Sequence, residues 1–107
     1  MPPSPRSYAV VWRGDDGVSH PGRLTLGPSA LRFEGGRGRL SAGSVAYLDV
    51  AAVRTGALGE RIGGRPTLVL ERRAEGRPLY VTSVGGPGSV AELLDRLGPL
   101  VAAARAA

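Results

Sequence analysis

Apolar and polar residues alternate along most of the chain, which is the pattern of β-strands that bury one face. Residues 8–13 are rich in aromatic and β-branched side chains, and the two-residue period places Tyr8 and Trp12 on the same face. Residues 22–26 and 30–34 repeat the alternation on either side of a tight Gly-Pro-Ser turn. These segments predict three strands, of which the last two form an antiparallel hairpin.

Further strands are predicted in the central part of the chain. Residues 44–54 are apolar enough for one bent strand or two short ones, with the bend at Asp49. Residues 56–66 contain several glycines and a proline, so we expect an exposed loop. Residues 67–72 and 78–83 then predict two strands joined by a turn.

The final segment changes from the strand period to the helix period. Ser89 and Glu92 have the spacing of a capping box, which predicts that a helix begins at about Ser89. The Gly-Pro pair at 98–99 is a helix stop signal inside the apolar stripe, so we expect a kink or break there. The helical stripe consists of Val90, Leu93, Leu94, Leu97, Leu100, Val101 and Ala104.

Length and composition favour a single small domain rich in turns. The chain has 107 residues, 42% of them hydrophobic, with 17 Gly and 9 Pro. Three prolines within the first five positions predict a disordered arm over residues 1–7. We therefore expect one folded domain over residues 8–107.

The charge is strongly positive, and every basic side chain is arginine. The net charge of +5 suits an anionic partner, although solubility alone would also explain it. The absence of Lys alongside abundant Ala, Gly and Pro indicates a GC-rich coding bias, so Arg here stands partly in place of Lys.

The residue types that most catalytic and metal sites require are scarce. The chain has no Cys and a single His, His20, so we predict no catalytic site, no metal site and no cofactor. No signal peptide and no apolar run of membrane-spanning length are visible, so we expect a cytoplasmic protein.

Successive hairpins followed by one amphipathic helix resemble the pleckstrin-homology (PH) superfold, nearest to GRAM-type and bacterial PH-like domains. The resemblance implies a mostly β (α+β) fold with about seven antiparallel strands in two near-orthogonal sheets, capped by one C-terminal helix. It also implies binding without catalysis, since members bind phosphoinositides, peptides or proteins, and many bacterial examples are assembly modules. The likeness covers roughly residues 8–105 and rests on residues 22–26, 31–33, 45–53, 67–70, 80–83 and 90–97.

The phosphoinositide-binding pattern of that superfold is incomplete here. Lipid-binding members cluster basic residues at the end of the first strand and along the second, where this chain has Arg13 and Arg23. Thr25 stands where a further cation would help, and Asp15 and Asp16 would repel a phosphate. The sequence therefore disfavours an inositol phosphate ligand.

We predict a non-catalytic binding or scaffold module that mediates protein–protein interaction or assembly. The first alternative is a peripheral binder of anionic lipid, and the second is a nucleic-acid binder that uses the Gly-Arg loops. The candidate partner-binding residues are Arg13, Arg23, Arg32, Arg37, Arg39, Arg61 and Arg65. The candidate self-association residues are Leu100, Val101 and Ala104, in the Ala-rich part of the helix.

Overall fold

The computed structural model describes residues 7–14, 17–35, 43–73, 78–84 and 89–106. Most of the predicted N-terminal arm lies outside these residues, and Ser7 already belongs to the first strand. The elements are β1 (Ser7–Arg13), β2 (Ser19–Leu26), β3 (Ala30–Glu34), β4 (Gly43–Ala46), β5 (Val50–Thr55), β6 (Leu68–Arg72), β7 (Leu79–Ser83) and α1 (Ser89–Ala106). Single 3₁₀ turns lie at Tyr47–Asp49, Leu58–Glu60 and Ile62–Gly64.

The seven strands form one antiparallel sheet in the order β4-β3-β2-β1-β7-β6-β5. Strand β1 is central because it pairs with β2 on one side and with β7 on the other. The sheet curls into a nearly closed barrel, and the mostly β fold with a C-terminal helix is confirmed. The division into two orthogonal sheets stays a prediction.

The 3₁₀ turn Tyr47–Asp49 connects the two edge strands and helps to close the barrel. The backbone N–H of Tyr47 donates to the Ser29 carbonyl, and the N–H of Arg73 donates to the Asp49 carbonyl. The buried Tyr47 hydroxyl donates to the Gly27 carbonyl at 2.7 Å. The bend predicted at Asp49 is therefore confirmed, and the two short strands are β4 and β5.

The core fills the barrel with the inward half of each alternating strand and one side of the helix. Burying each large aliphatic or aromatic side chain stabilises the fold by about 1.5–3 kcal/mol. Trp12 and Phe33 both lie in this core, with their ring centroids 5.1 Å apart. The buried cluster is Val10, Trp12, Leu24, Leu26, Leu31, Phe33, Val45, Tyr47, Val50, Leu68, Leu70, Leu79, Val81, Leu93, Leu97 and Val101.

Close backbone packing at one end of the barrel depends on Gly22. A Cβ atom at this position would lie 2.2 Å from the Glu34 carbonyl oxygen and 2.7 Å from the Trp12 ring. Strand β2 can therefore pass under the indole only where it carries no side chain.

We predicted a kink or a break at residues 98–99; the break is wrong, because α1 continues through Pro99 as one helix, and the kink stays a prediction. A proline inside a helix costs about 3 kcal/mol, partly because it cannot donate to the carbonyl four residues earlier, here that of Asp95. Asp95 and Pro99 both lie on the exposed side, where water can hydrate that carbonyl. Leu97 and Val101 are buried in the core and hold both halves of the helix against it.

The side chain of the predicted cap, Ser89, lies outside the described residues.

The segment at residues 56–66 is mostly exposed, as predicted, but it also folds back onto the outer face of the sheet. Ile62 is only 7% exposed, and Gly56 is also buried. The N–H of Gly56 donates to the Thr67 carbonyl at 2.8 Å, which continues the β5–β6 ladder by one pair. The loop is therefore a cover for β6 and β7.

Candidate interaction surface

Three of the predicted arginines lie on the outer face of neighbouring strands. Because the side chains of Leu24, Leu31 and other apolar residues in β1–β3 point inward, the alternate positions Arg13, Arg23 and Arg32 point outward. Arg23 lies between Ala9 of β1 and Glu34 of β3 in the pairing register. Arg32 lies between Thr25 of β2 and Ser44 of β4. The structure thus brings these three candidates onto one surface, which we call the arginine face.

The described residues neutralise the charges of the arginine face only in part. Arg13 donates to the Ser19 hydroxyl at 3.3 and 3.4 Å, and Arg23 donates to the Ser7 hydroxyl at 3.5 Å. Hydroxyl groups bring no negative charge to these contacts. Arg32 lies 3.6 Å from the Glu34 carboxylate, and both side chains are more than half exposed. Over the described residues of β1–β3, the outer face therefore keeps a positive charge.

Two of the other predicted arginines, Arg61 and Arg65, are not part of this face. Arg61 and Arg65 are exposed on the segment that covers β6 and β7. Arg37 and Arg39 lie outside the described residues. The seven predicted positions therefore do not all converge on one site.

Arg54 shows how an arginine is used inside the fold. Its guanidinium binds both oxygens of Glu60 at 2.7 and 2.8 Å and lies 3.4 Å from Glu71. Glu60 also accepts the Ala57 N–H at 3.0 Å, and these contacts, with the guanidinium first, lower the pKa of the Glu60 carboxyl to about 2. The same pairing raises the pKa of Arg54. This cluster fastens residues 56–60 to β5 and β6.

A small buried cluster, which we call the outer cluster, forms beneath the covering segment. It consists of Ile62, Thr67, Val69 and Thr82. Thr67 accepts the Ile62 N–H and donates to the Arg65 carbonyl, each at 2.9 Å, and Thr82 donates to the Pro66 carbonyl at 2.7 Å. These hydroxyls replace water for buried backbone groups, so the cover over β6 and β7 is a built structure.

The predicted self-association residues are largely used within the domain. Val101 is buried in the core, and Leu100 and Ala104 pack against it. Leu100 also lines an open groove of about 460 Å³ between α1 and the β2–β3 turn, together with Leu26, Gly27, Pro28, Asp95, Arg96 and Pro99. Self-association through these residues stays a prediction.

His20 and Tyr8 are titratable side chains that pack beside the core. No group of three or more His, Cys, Asp or Glu side chains within the described ranges could hold a metal ion. The His20 ring packs 5.7 Å from the Trp12 ring. The buried Tyr8 hydroxyl has no hydrogen-bond partner among the described residues, and burial raises its pKa.

The sequence does not reveal two polar features that organise this surface. The first is the Arg54 cluster, which joins β5 to the following loop and to β6. The opposite charges on either side of one Gly-rich segment were the sequence signal that could have indicated it. The second is the position of β4 at an edge of the sheet, which follows from strand order and not from alternation.

Comparison with known proteins identifies the fold and no family. No protein-family pattern matches the chain, and no curated protein matches its sequence. Within the described residues, no helix has the length and apolar character needed to cross a membrane. The crystal structure of the C-terminal domain of an unknown protein from Leishmania infantum is similar, with a TM-score of 0.62 and 11% sequence identity over 85% of this chain and 80% of that one. At this identity the similarity concerns the fold alone.

Proposed function

We propose that this chain is a non-catalytic binding module with PH-like architecture that binds acidic segments of partner proteins. The seven antiparallel strands and the single C-terminal helix support the PH-like assignment, because the resemblance rests on successive hairpins followed by one helix. The observation that carries the binding function is the arginine face. Arg13, Arg23 and Arg32 lie on adjacent strands, and Glu34 is the carboxylate beside them within the described residues.

The geometry of this face favours a peptide over a phosphorylated headgroup. In the pairing register Arg13 lies at the level of Ser19 and Arg32 at the level of Thr25, on either side of Arg23. The three positions therefore span about 20 Å along the strands and are distributed over a surface, so they do not line one pocket. Glu34 lies opposite Arg23 and beside Arg32, where it repels a compact ligand with several negative charges. The carboxylates of an extended peptide are spaced along a chain and can contact the arginines while avoiding Glu34.

The test compares two double variants that remove the same charge from different surfaces. Arg23→Gln with Arg32→Gln changes the arginine face, and Arg61→Gln with Arg65→Gln is the matched control on the covering segment. Binding is measured by fluorescence anisotropy with a labelled peptide that alternates Glu and Val. Two exposed charge pairs are worth about 0.2–1 kcal/mol each, so we expect a loss of affinity of about fivefold for the first variant and little change for the control.

Other binding partners would give a different result in the same experiment. Equal losses for both double variants would show that binding follows net charge and would contradict the assignment to this face. Flotation with phosphatidylserine vesicles, or retention on single-stranded DNA, without any binding of the acidic peptide would replace the proposal with the lipid or the nucleic-acid alternative.

A further inference from the structure

The two edges of the sheet are finished in different ways. At the β5 edge, the Arg105 guanidinium of α1 donates to the backbone carbonyls of Val50 and Ala51. A β-bulge between Val50 and Ala52 also interrupts the regular register there. Coverage by a side chain and a bulge are both devices that stop another strand from pairing. The β5 edge is therefore protected.

The β4 edge carries backbone groups that face away from the sheet. The N–H of Gly27 donates to the Ala30 carbonyl, so the backbone N–H and C=O groups of Ala30 and of every second residue after it face β2. The N–H of Tyr47 donates to the Ser29 carbonyl, so the backbone groups of the residues in between face β4. By this alternation both backbone groups of Ser44 and the N–H of Ala46 point outward. The Ala46 carbonyl caps the start of the 3₁₀ turn Tyr47–Asp49.

The side chains around this edge leave room for an incoming strand. Ser44 and Ala46 are small and exposed, and a Cβ atom at Gly43 would meet no other atom within 4 Å. Arg32 lies directly opposite Ser44 on β3, and 65% of its side chain is exposed. A flexible arginine next to a serine can reach across it to the open edge.

We propose that the acidic partner segment adds to β4 as a further antiparallel or parallel strand. It forms main-chain hydrogen bonds with Ser44 and Ala46 and places a carboxylate against Arg32. This inference rests on the proposed function and specifies how the same surface holds its ligand. Backbone pairing supplies affinity in such strand addition, while side-chain charge supplies selectivity.

Charge favours an acidic segment over a second copy of this chain as the occupant. Each copy carries a net charge of +5, and edge-to-edge pairing would bring the Arg32 side chains of both copies towards the same short edge. Like charges close together oppose such pairing, whereas an acidic strand is attracted.

The decisive variant is Ala46→Pro, with Ala46→Ser as the matched control. Ala46 has φ −66° and ψ 141°, which a proline adopts without strain. Its N–H faces the open edge, so proline removes a donor for the ligand while the β3–β4 hydrogen bonds remain. Proline is tolerated at such positions of edge strands. Thermal unfolding of both variants checks that the fold is retained.

The probe is the alternating Glu-Val peptide, compared with the same peptide carrying N-methyl groups on alternate residues. N-methylation preserves charge and removes main-chain donors. We expect the N-methylated peptide to bind the unchanged protein at least about fivefold more weakly, and Ala46→Pro to weaken the parent peptide by about fivefold relative to Ala46→Ser. Hydrogen exchange should slow at the amides of Ser44 and Ala46 when the parent peptide binds.

The outcomes separate this inference from the function on which it rests. If both peptides bind equally well and Ala46→Pro behaves like Ala46→Ser, the acidic ligand is real but strand addition is overturned. If neither peptide binds the unchanged protein, the proposed function fails, and the strand addition fails with it.

Discussion

The two halves of the sheet share an inner core but differ on their outer faces. Strands β6 and β7, which we call the covered half, lie beneath the segment at residues 56–66. This segment buries Ile62 and places the Pro66 carbonyl against the Thr82 hydroxyl. Strands β1–β3, which we call the bare half, have no such cover from the described residues, and Arg23 and Arg32 point to solvent.

The polar groups of the two halves are satisfied in different ways. In the covered half, Arg54 binds Glu60 and Glu71, and the hydroxyls of Thr67 and Thr82 bind backbone carbonyls. In the bare half, arginine side chains and the backbone of β4 face outward. A polar group that is satisfied within the chain contributes to stability, whereas one that faces outward is available to a partner. This difference is the reason for assigning stability to one outer face and recognition to the other.

The largest effect should come from opening the covered half. Ile62→Ala removes most of a buried side chain from the outer cluster, and such truncations lower the free energy of unfolding by about 2–5 kcal/mol. Leu58→Ala is the matched control on the same segment, because Leu58 is 80% exposed and should change stability by less than about 0.5 kcal/mol. Urea denaturation measures both. If the two variants are equally stable, the segment is only a surface loop and the contrast between the halves disappears.

A smaller loss should follow from crowding the inside of the bare half. Gly22→Ala places a methyl group against the Glu34 carbonyl and the Trp12 ring, and overpacking of this kind costs about 1–3 kcal/mol. The control is Gly43→Ala, where a Cβ atom meets open space. Urea denaturation and near-ultraviolet circular dichroism of Trp12 report the change. Equal stability of the two variants would show that β2 can shift away from the indole at little cost.

Alternation and helical period predict most of the elements because they depend on local spacing. The hairpin of β2 and β3, the bend at Asp49 and the start of α1 follow from residues close together in the chain. The burial of Ile62 does not, because the segment that carries it is held against β7, which is distant in the chain, by the bond from Thr82 to the Pro66 carbonyl. One signal was present: residues 68–70 are apolar without alternation, as expected for a strand covered on both faces.

The continuity of α1 and the composition of the arginine face depend on tertiary structure. Pro99 normally ends a helix, but core packing of Leu97 and Val101 outweighs the local signal. The sequence contains seven candidate arginines of equal chemical type. Strand order decides that Arg23 and Arg32 share a surface while Arg61 lies elsewhere, and charge patterns along the chain do not contain that information.

The smallest effect should be the loss of the Glu60 contacts that fasten the covering segment, and it should depend on pH. The Arg54 guanidinium lowers the pKa of the Glu60 carboxyl from 4.5 to about 2, so the unfolded chain binds a proton at Glu60 more readily than the folded chain does. The stabilisation by Glu60 is therefore complete above about pH 5 and is lost as the pH falls towards about 2. Glu60→Gln should be less stable than the unchanged protein at neutral pH, and urea denaturation at a series of pH values should show this difference shrinking below about pH 4.5.

Glu34→Gln is the control on the bare half, where the ion pair with Arg32 is longer and more exposed. A Glu60→Gln difference that stays constant across this pH range would mean that the carboxylate charge does not fasten the segment.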